Sequence, residues 1–221
     1  GIGSREAALA GMAMVVAHAM SKACLFMVVG IVDHGAGTRD IRKLAHLGKR
    51  TPFLAAVAAV AAMSMGGLPV FIGFVGKEAA LEAVQVTTLL SPGARIAVLT
   101  AIVVGSILTL AYSIRFVWGA FGRKQLKRPS PAVQSFHEPG PLLLFSPTVL
   151  AFGGLAAGLA APWIDTLLSP YADTLPSTLD KPYHLALWHG VGLPLVLTAV
   201  VVVGGTTLYL AHRTISRLKF E

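Results

Sequence analysis

Five residues of this 221-residue chain have types and spacings that could carry protons: His18, Lys22, Lys77, Glu78 and Glu82. Lys22 lies in the apolar run 7–32, four residues after His18 in the string VAHAMSKACLFMVVG. A charge near the centre of a bilayer costs about 2.5–3.5 kcal/mol on insertion scales, and such residues face a protein interior or a watery path. A spacing of four puts His18 and Lys22 on one helix face, about 5–6 Å apart. Removal from water and a neighbouring cation both favour a neutral lysine, so a Lys–His pair placed this way can hold and pass a proton near neutral pH. The plainer uses are a lysine that reaches for the interface and a histidine bonded to a backbone carbonyl. The depth of Lys22 argues against the first.

Lys77 follows in GGLPVFIGFVGKEAALEA, with Glu78 beside it and Glu82 one turn further on the Glu78 face. Acids in the first turn of a helix suit its dipole, which gives Glu78 a plain structural use. Glu82 could partner a lysine of another helix. Spacing alone assigns neither acid to sodium.

The elements that must position these groups are membrane spans. The chain is 55% hydrophobic and 13% charged, with a mean hydropathy of +0.72, against about 25% charged residues in soluble domains. A span needs about 20 apolar residues, and four runs fit directly: 7–32, 95–120, 142–164 and 185–211. The fifth run, 52–90, is interrupted by Gly66, Gly67, Pro69, Gly73 and Gly76. Glycine and proline break helices, so it reads as half-helices over 52–65 and 77–90 joined by an extended stretch, with Lys77 opening the second half. The fold class is therefore all-α: a polytopic membrane protein with five spans, the second one broken.

Charge orients the spans. Of the 18 lysines and arginines, twelve fall in 39–50, 123–128 and 213–219, all on one side of a five-span chain. The positive-inside rule makes that side cytoplasmic. Short basic loops bordering spans, with few interleaved aromatics, argue against nucleic acid despite the net charge of +8. Arg115 reads as an interfacial anchor beside Phe116 and Trp118, and Asp33, His34, Arg39 and Asp40 as a surface turn. Aromatic-belt duty accounts for Trp188, while His189 has no assigned role. The single Cys24 excludes an internal disulfide. No nucleotide loop, metal-ligand cluster or nucleophile constellation occurs, so no cofactor is expected. The chain opens on Gly1 and leads straight into a span, so it reads as a piece of a longer polypeptide.

The strings HAMSKACLFMVVGIVDHGAGTRDIRKL, SMGGLPVFIGFVGKE and LALWHG resemble the A-type subunits of the Mrp-type multisubunit sodium/proton antiporters. That family is related to the large antiporter-like subunit of respiratory complex I. The similarity runs through nearly all of the chain and is weakest in 122–184. HAxxK and GxPxxxGFxxKE mark the wider superfamily, whereas GIVDHGAGTRDIRKL and LALWHG narrow it to the Mrp A-type subunits. The resemblance implies that Lys22 matches a lysine on the helix before the broken one, and His18 the histidine one turn earlier. It implies that Lys77 matches the lysine of the second broken helix, which terminates the proton path in the complex I relatives. Many relatives carry a further histidine where this chain has Met14, so a relay there must use water or another residue.

The first inverted repeat of the family, with its glutamate–lysine pair, is absent. The resemblance thus divides the chain into a second-repeat portion over 1–120, with three spans and the break at 66–76, a cytoplasmic linker over 121–141, and two further spans over 142–221 with an external loop at 165–184. The implied function is part of a cation/proton antiporter subunit, with sodium as the cation. It is a secondary transporter rather than an enzyme, in a multi-pass cell-membrane complex whose partners are other subunits, lipid, protons and sodium. The alternatives are a proton-pumping subunit of an NADH:quinone oxidoreductase-like complex, or a scaffold subunit without its own path.

Overall fold

The structure, a computed structural model, describes residues 2–122, 129–179, 181–190 and 192–218, with side chains through 212 in the last stretch. Every regular element among them is helical: α1 (Arg5–Ala36), a 3-10 turn (Ile41–Lys43), α2 (Leu47–Arg50), α3 (Pro52–Gly66), α4 (Ile72–Val86), α5 (Pro92–Phe121), α6 (Pro131–Gln134), α7 (Pro141–Leu159), α8 (Ala161–Ala172) and α9 (Leu193–Leu218). Among the described residues, α1, α5, α7 and α9 are long and apolar enough to cross a membrane, and α3 is a shorter apolar helix. With α3 and α4 taken as one interrupted span, the chain is an all-helical polytopic membrane protein of about five spans.

α1 begins at Ser4, whose hydroxyl accepts from the Ala7 amide, and ends at Gly37 in the left-handed conformation, φ 64°. It is the spine of the bundle. Its second half, through Cys24, Val28 and Ile31, packs on Leu54, Val57, Ala58 and Ala61 of α3. Its first half, through Leu9, Ala10, Ala13 and Ala17, packs on Ile72, Phe74, Val75 and Ala79 of α4. α3 and α4 therefore run end to end along α1, opposite to it in direction. Small residues let the helices approach closely, and in lipid that dispersion contact is a main source of helix association. A Cβ added at Gly76 would lie 3.2 Å from the Met14 amide nitrogen.

The break is tighter than the sequence suggests. It occupies 67–71, and helix resumes at Ile72, so Gly73, Gly76 and Lys77 are all helical. Lys77 sits in the second turn of α4 rather than opening it. The glycines answer to close contact instead. Gly73 lies directly against the Ser64 carbonyl, and Gly158 of α7 lies against Val70 and Phe71. These glycines serve as contact surfaces for neighbouring backbone and do not interrupt the helix.

Two other boundaries differ from the sequence reading. The stretch read as an external loop at 165–184 is helical through Ala172, because the chain bends at Ala160 and continues as α8. The last helix starts at Leu193 rather than at residue 185, with residues 181–190 non-helical.

One end of the bundle gathers the loops after α1 and α5. Arg50 Nη1 donates to the Val133 carbonyl at 2.9 Å, the His137 amide to the Gly35 carbonyl at 3.1 Å, and Ser130 Oγ to the Lys43 carbonyl. Arg39 pairs with Asp33 at 2.8 Å, and hydrogen bonds from Arg42 lower the Asp40 pKa to about 2; Arg39 and Asp40 lie in the turn expected, whereas Asp33 and His34 belong to the last turn of α1. The basic residues at 123–128 and 219 lie outside the described residues, as do the side chains of Arg213 and Arg217. At the opposite end, Arg5 donates to Asp173 and to the Tyr183 carbonyl, both at 2.7 Å. Glu6 accepts from Ser177 Oγ at 2.6 Å and from Thr178 Oγ1 at 3.0 Å. Asp173, Ser177, Thr178 and Tyr183 are thereby clasped to the start of α1.

Candidate functional site

The site is built on the interruption between α3 and α4. Gly67 takes φ 77°, and its amide donates to the Ser64 carbonyl while the Leu68 amide donates to the Met63 carbonyl. This is the glycine-based helix ending that left-handed backbone permits. Val70 also has a positive φ, 74°. A β-branched residue in that region stores strain on the order of 1–3 kcal/mol, a cost found mainly at functional sites.

The ending leaves the carbonyls of Met65 and Gly66 to be satisfied. Lys77 does this, with Nζ 3.1 Å from the Met65 oxygen and 3.0 Å from the Gly66 oxygen. Its ammonium thus reaches back across the break from one half-helix to the other. Freed backbone groups in a membrane are tolerated only where protein or a wet cavity receives them, and here the Lys77 ammonium receives both carbonyls. A cavity of about 290 Å³ opens beside Lys77, lined also by His18, Met14, Ser64, Ser106 and Thr109. At about 30 Å³ per water it has room for several. Ser64 Oγ, on its wall, is buried without a hydrogen-bond partner.

Lys22 occupies a different position. It is half-buried in a smaller pocket with Phe26, Tyr112 and Phe116. Its Nζ donates to the Tyr112 hydroxyl at 3.2 Å and lies 5.2 Å from that ring's centroid and 6.0 Å from that of Phe26. The Tyr112 hydroxyl in turn points to Met65 Sδ, 3.4 Å away. Tyr112 therefore links the Lys22 pocket to the residue whose carbonyl holds Lys77. His18 is exposed on the α1 surface and lines the Lys77 cavity, whose wall does not include Lys22.

Glu78 is buried in the second turn of α4, so the first-turn dipole role does not apply to it. Its nearest charge partner is His189, Nδ1 to Oε2 3.7 Å. The Glu78 carboxylate pushes the His189 pKa above its ordinary value, outweighing partial burial. Burial, with Glu78, Glu82 and Asp165 nearby, pushes the Tyr183 hydroxyl up. Glu82 is half-buried one turn beyond Glu78, without the close contact to His189 that Glu78 makes. Tyr112 and Ser64 were not among the residues singled out from the sequence, and His189 was named there without a role. Ser64 carried a weak signal, a hydroxyl just before Gly66 in an apolar run, whereas Tyr112 and His189 act through contacts distant in sequence.

Residues 1–109 match the family described as NADH:quinone oxidoreductase/Mrp antiporter, transmembrane. The chain is 35% identical over 220 residues, 96% of its length, to the probable A/B subunit of a K(+)/H(+) antiporter from Rhizobium meliloti. It is 31% identical over 217 residues, 91% of its length, to the A1 subunit of a Na(+)/H(+) antiporter from Staphylococcus saprophyticus. Its fold superposes on a chain of the Mrp complex from Dietzia sp. DQ12-45-1b with a TM-score of 0.78, at 29% identity over 98% of its length. The chain belongs to the Mrp A-type branch of the antiporter-like family. It spans 21% and 26% of the two relatives and 23% of the solved chain, about a quarter of each. In this Mrp A-type chain Met14 and His18 both lie on the cavity wall.

Proposed function

We propose that the chain forms part of the proton path of a cation/proton antiporter subunit, a secondary transporter that works inside a multisubunit complex of the bacterial plasma membrane. The observation that carries this reading is Lys77, whose ammonium bridges the two halves of a broken helix at the edge of a cavity it shares with His18. Broken helices with freed backbone groups build ion sites in transporters, and a lysine at membrane depth is costly unless used. Protons pass between Lys22, His18 and Lys77, with water in the cavity and the Tyr112 hydroxyl as the connecting groups. Charge displaced at Lys77 biases the neighbouring sites.

Sodium is the exchanged cation in this reading. One relative is named for potassium and the other for sodium, so proton movement driven separately by each cation distinguishes them. The decisive experiment replaces Lys77 with alanine in the full-length subunit, then measures cation-driven proton movement in vesicles holding the assembled complex. Exchange should be lost, and normal exchange in a correctly assembled complex would overturn the reading. The basic end is read as cytoplasmic: cysteines at Thr38 and Ser130 should resist an impermeant thiol reagent in intact cells, and one at Thr174 should react.

A further inference from the structure

Successive residues of a helix point about 100° apart, and the neighbours Lys77 and Glu78 divide accordingly. Lys77 turns to the cavity shared with His18, while Glu78, outside that cavity's lining, turns to a second polar cluster. Glu78 is 5% exposed, and its Oε2 has no hydrogen-bond partner. A carboxylate removed from water and left unpartnered is unfavourable unless a proton or a cation compensates it. The group that faces this oxygen is the imidazole of His189.

The second ring nitrogen decides the tautomer. His189 Nε2 lies 2.8 Å from the His184 carbonyl oxygen, which can only accept, so Nε2 carries a hydrogen. The lone pair of the neutral ring is then on Nδ1, the atom that faces Glu78. Nδ1 is also 3.5 Å from the Tyr183 hydroxyl, and the Tyr183 and His189 rings stack with centroids 4.7 Å apart. The His189 side chain is 30% exposed and that of Glu78 only 6%, so the ring spans from a buried acid to the surface. Its segment is held in place by buried Asp165 of α8, which accepts from the Leu185 amide at 2.7 Å and lies 2.9 Å from His184 Nδ1.

We propose that Glu78 and His189 form the mouth of the proton path at this end of the bundle. The proposal rests on Lys77 being the proton site described above and adds the acid–base pair through which that site meets water. The Lys77 ammonium gives one proton, through water, to the Glu78 carboxylate. Glu78 passes it from Oε2 to Nδ1 of neutral His189, leaving a carboxylate beside an imidazolium. The partly exposed ring then turns, and the imidazolium releases the proton from Nδ1 to the aqueous face, so the cycle ends with neutral Lys77, ionised Glu78, neutral His189 and one proton outside. Entry is the reverse sequence. The charged and titratable groups around the imidazole are Glu78 and Glu82 of α4, with Asp165 of α8, Tyr183 and His184 beside it. Glu78 and Glu82 favour the imidazolium, which makes His189 an able acceptor.

The test uses the full-length subunit in the assembled complex, reconstituted in vesicles, with sodium-driven proton movement followed from about pH 6 to about pH 9, the range in which a raised histidine titrates. His189→Ala and Glu78→Gln should each slow exchange by on the order of tenfold to a hundredfold, the range of a lost acid–base group. Added imidazole should restore part of the His189→Ala rate, and the pH profile of that variant should lose its histidine limb. Glu78→Gln keeps the size of the side chain and reports on the pair if His189→Ala loosens the segment. Wild-type rates and pH profiles in both assembled variants would overturn the proposal. So would a slowed His189→Ala complex with an unshifted profile and no response to imidazole. Exchange that survives Lys77→Ala refutes the underlying site, whereas a dead Lys77→Ala complex beside a normal His189→Ala complex refutes only the mouth.

Discussion

Lys77 is held by main chain of its own span, and Lys22 by a side chain of another helix. The two carbonyls on Lys77 exist because α3 ends at Gly66 and leaves them free. α1 is unbroken from Arg5 to Ala36, so its carbonyls are spent on its own ladder and offer Lys22 nothing. Lys22 instead takes the Tyr112 hydroxyl and two aromatic faces. A lysine in a broken helix thus has a fixed resting place within its span, whereas a lysine in a straight helix depends on what its neighbours present. The first suits a site that stores charge, and the second a site that responds when neighbours rearrange.

The largest expected effect comes from Lys22 itself. Lys22→Ala should abolish proton exchange while the complex still assembles, and Lys22→Arg should fail as well, because an arginine with a pKa above about 12 does not release its proton. Normal exchange in either assembled variant would remove Lys22 from the path and leave Lys77 as the working lysine. Changing Gly66, Gly67 and Pro69 together to alanine attacks the other half of the comparison. A continuous helix would take back the Met65 and Gly66 carbonyls and displace Lys77, so exchange should fall more than thermal stability does. A triple variant with the exchange rate unchanged would show that the break does not position Lys77.

Tyr112→Phe sharpens the comparison further. It removes the hydroxyl on Lys22 but neither carbonyl on Lys77, and a lost hydrogen bond of about 1 kcal/mol predicts a several-fold slower exchange without loss of assembly. A Tyr112→Phe rate as low as that of Lys22→Ala would mean that the hydroxyl carries the proton rather than only holding the ammonium. The smallest effect is a pH response of residues 181–190. His189 has a raised pKa in the folded chain, so its pairing with Glu78 stabilises fully below the ordinary histidine value of about 6.5 and is lost as pH rises through the higher folded value. Hydrogen exchange of these amides, corrected for its intrinsic pH dependence, should therefore increase with pH in the parent protein and stay flat in His189→Gln. Equal profiles would uncouple the segment from Glu78.

Sequence by itself determined the all-helical, multi-span character of the chain, the interruption near Gly66–Pro69, and the presence of Lys22, His18 and Lys77 within apolar runs. These are properties of local hydropathy, of glycine and proline backbone, and of charge placed in apolar runs, all written in short stretches of residues. The extent of the break was not local: Gly73 and Gly76 resemble helix breakers in sequence, yet both are helical, and Ser64 and α1 approach them too closely for a side chain. Only the tertiary structure decided that Lys77 reaches the Met65 and Gly66 carbonyls, that Tyr112 joins Lys22 to Met65, and that His189 comes to rest on Glu78. Each of these depends on which helix faces lie together. In lipid that choice comes from close contact between small residues and from satisfying buried polar groups, and neither can be counted until the partners are in place.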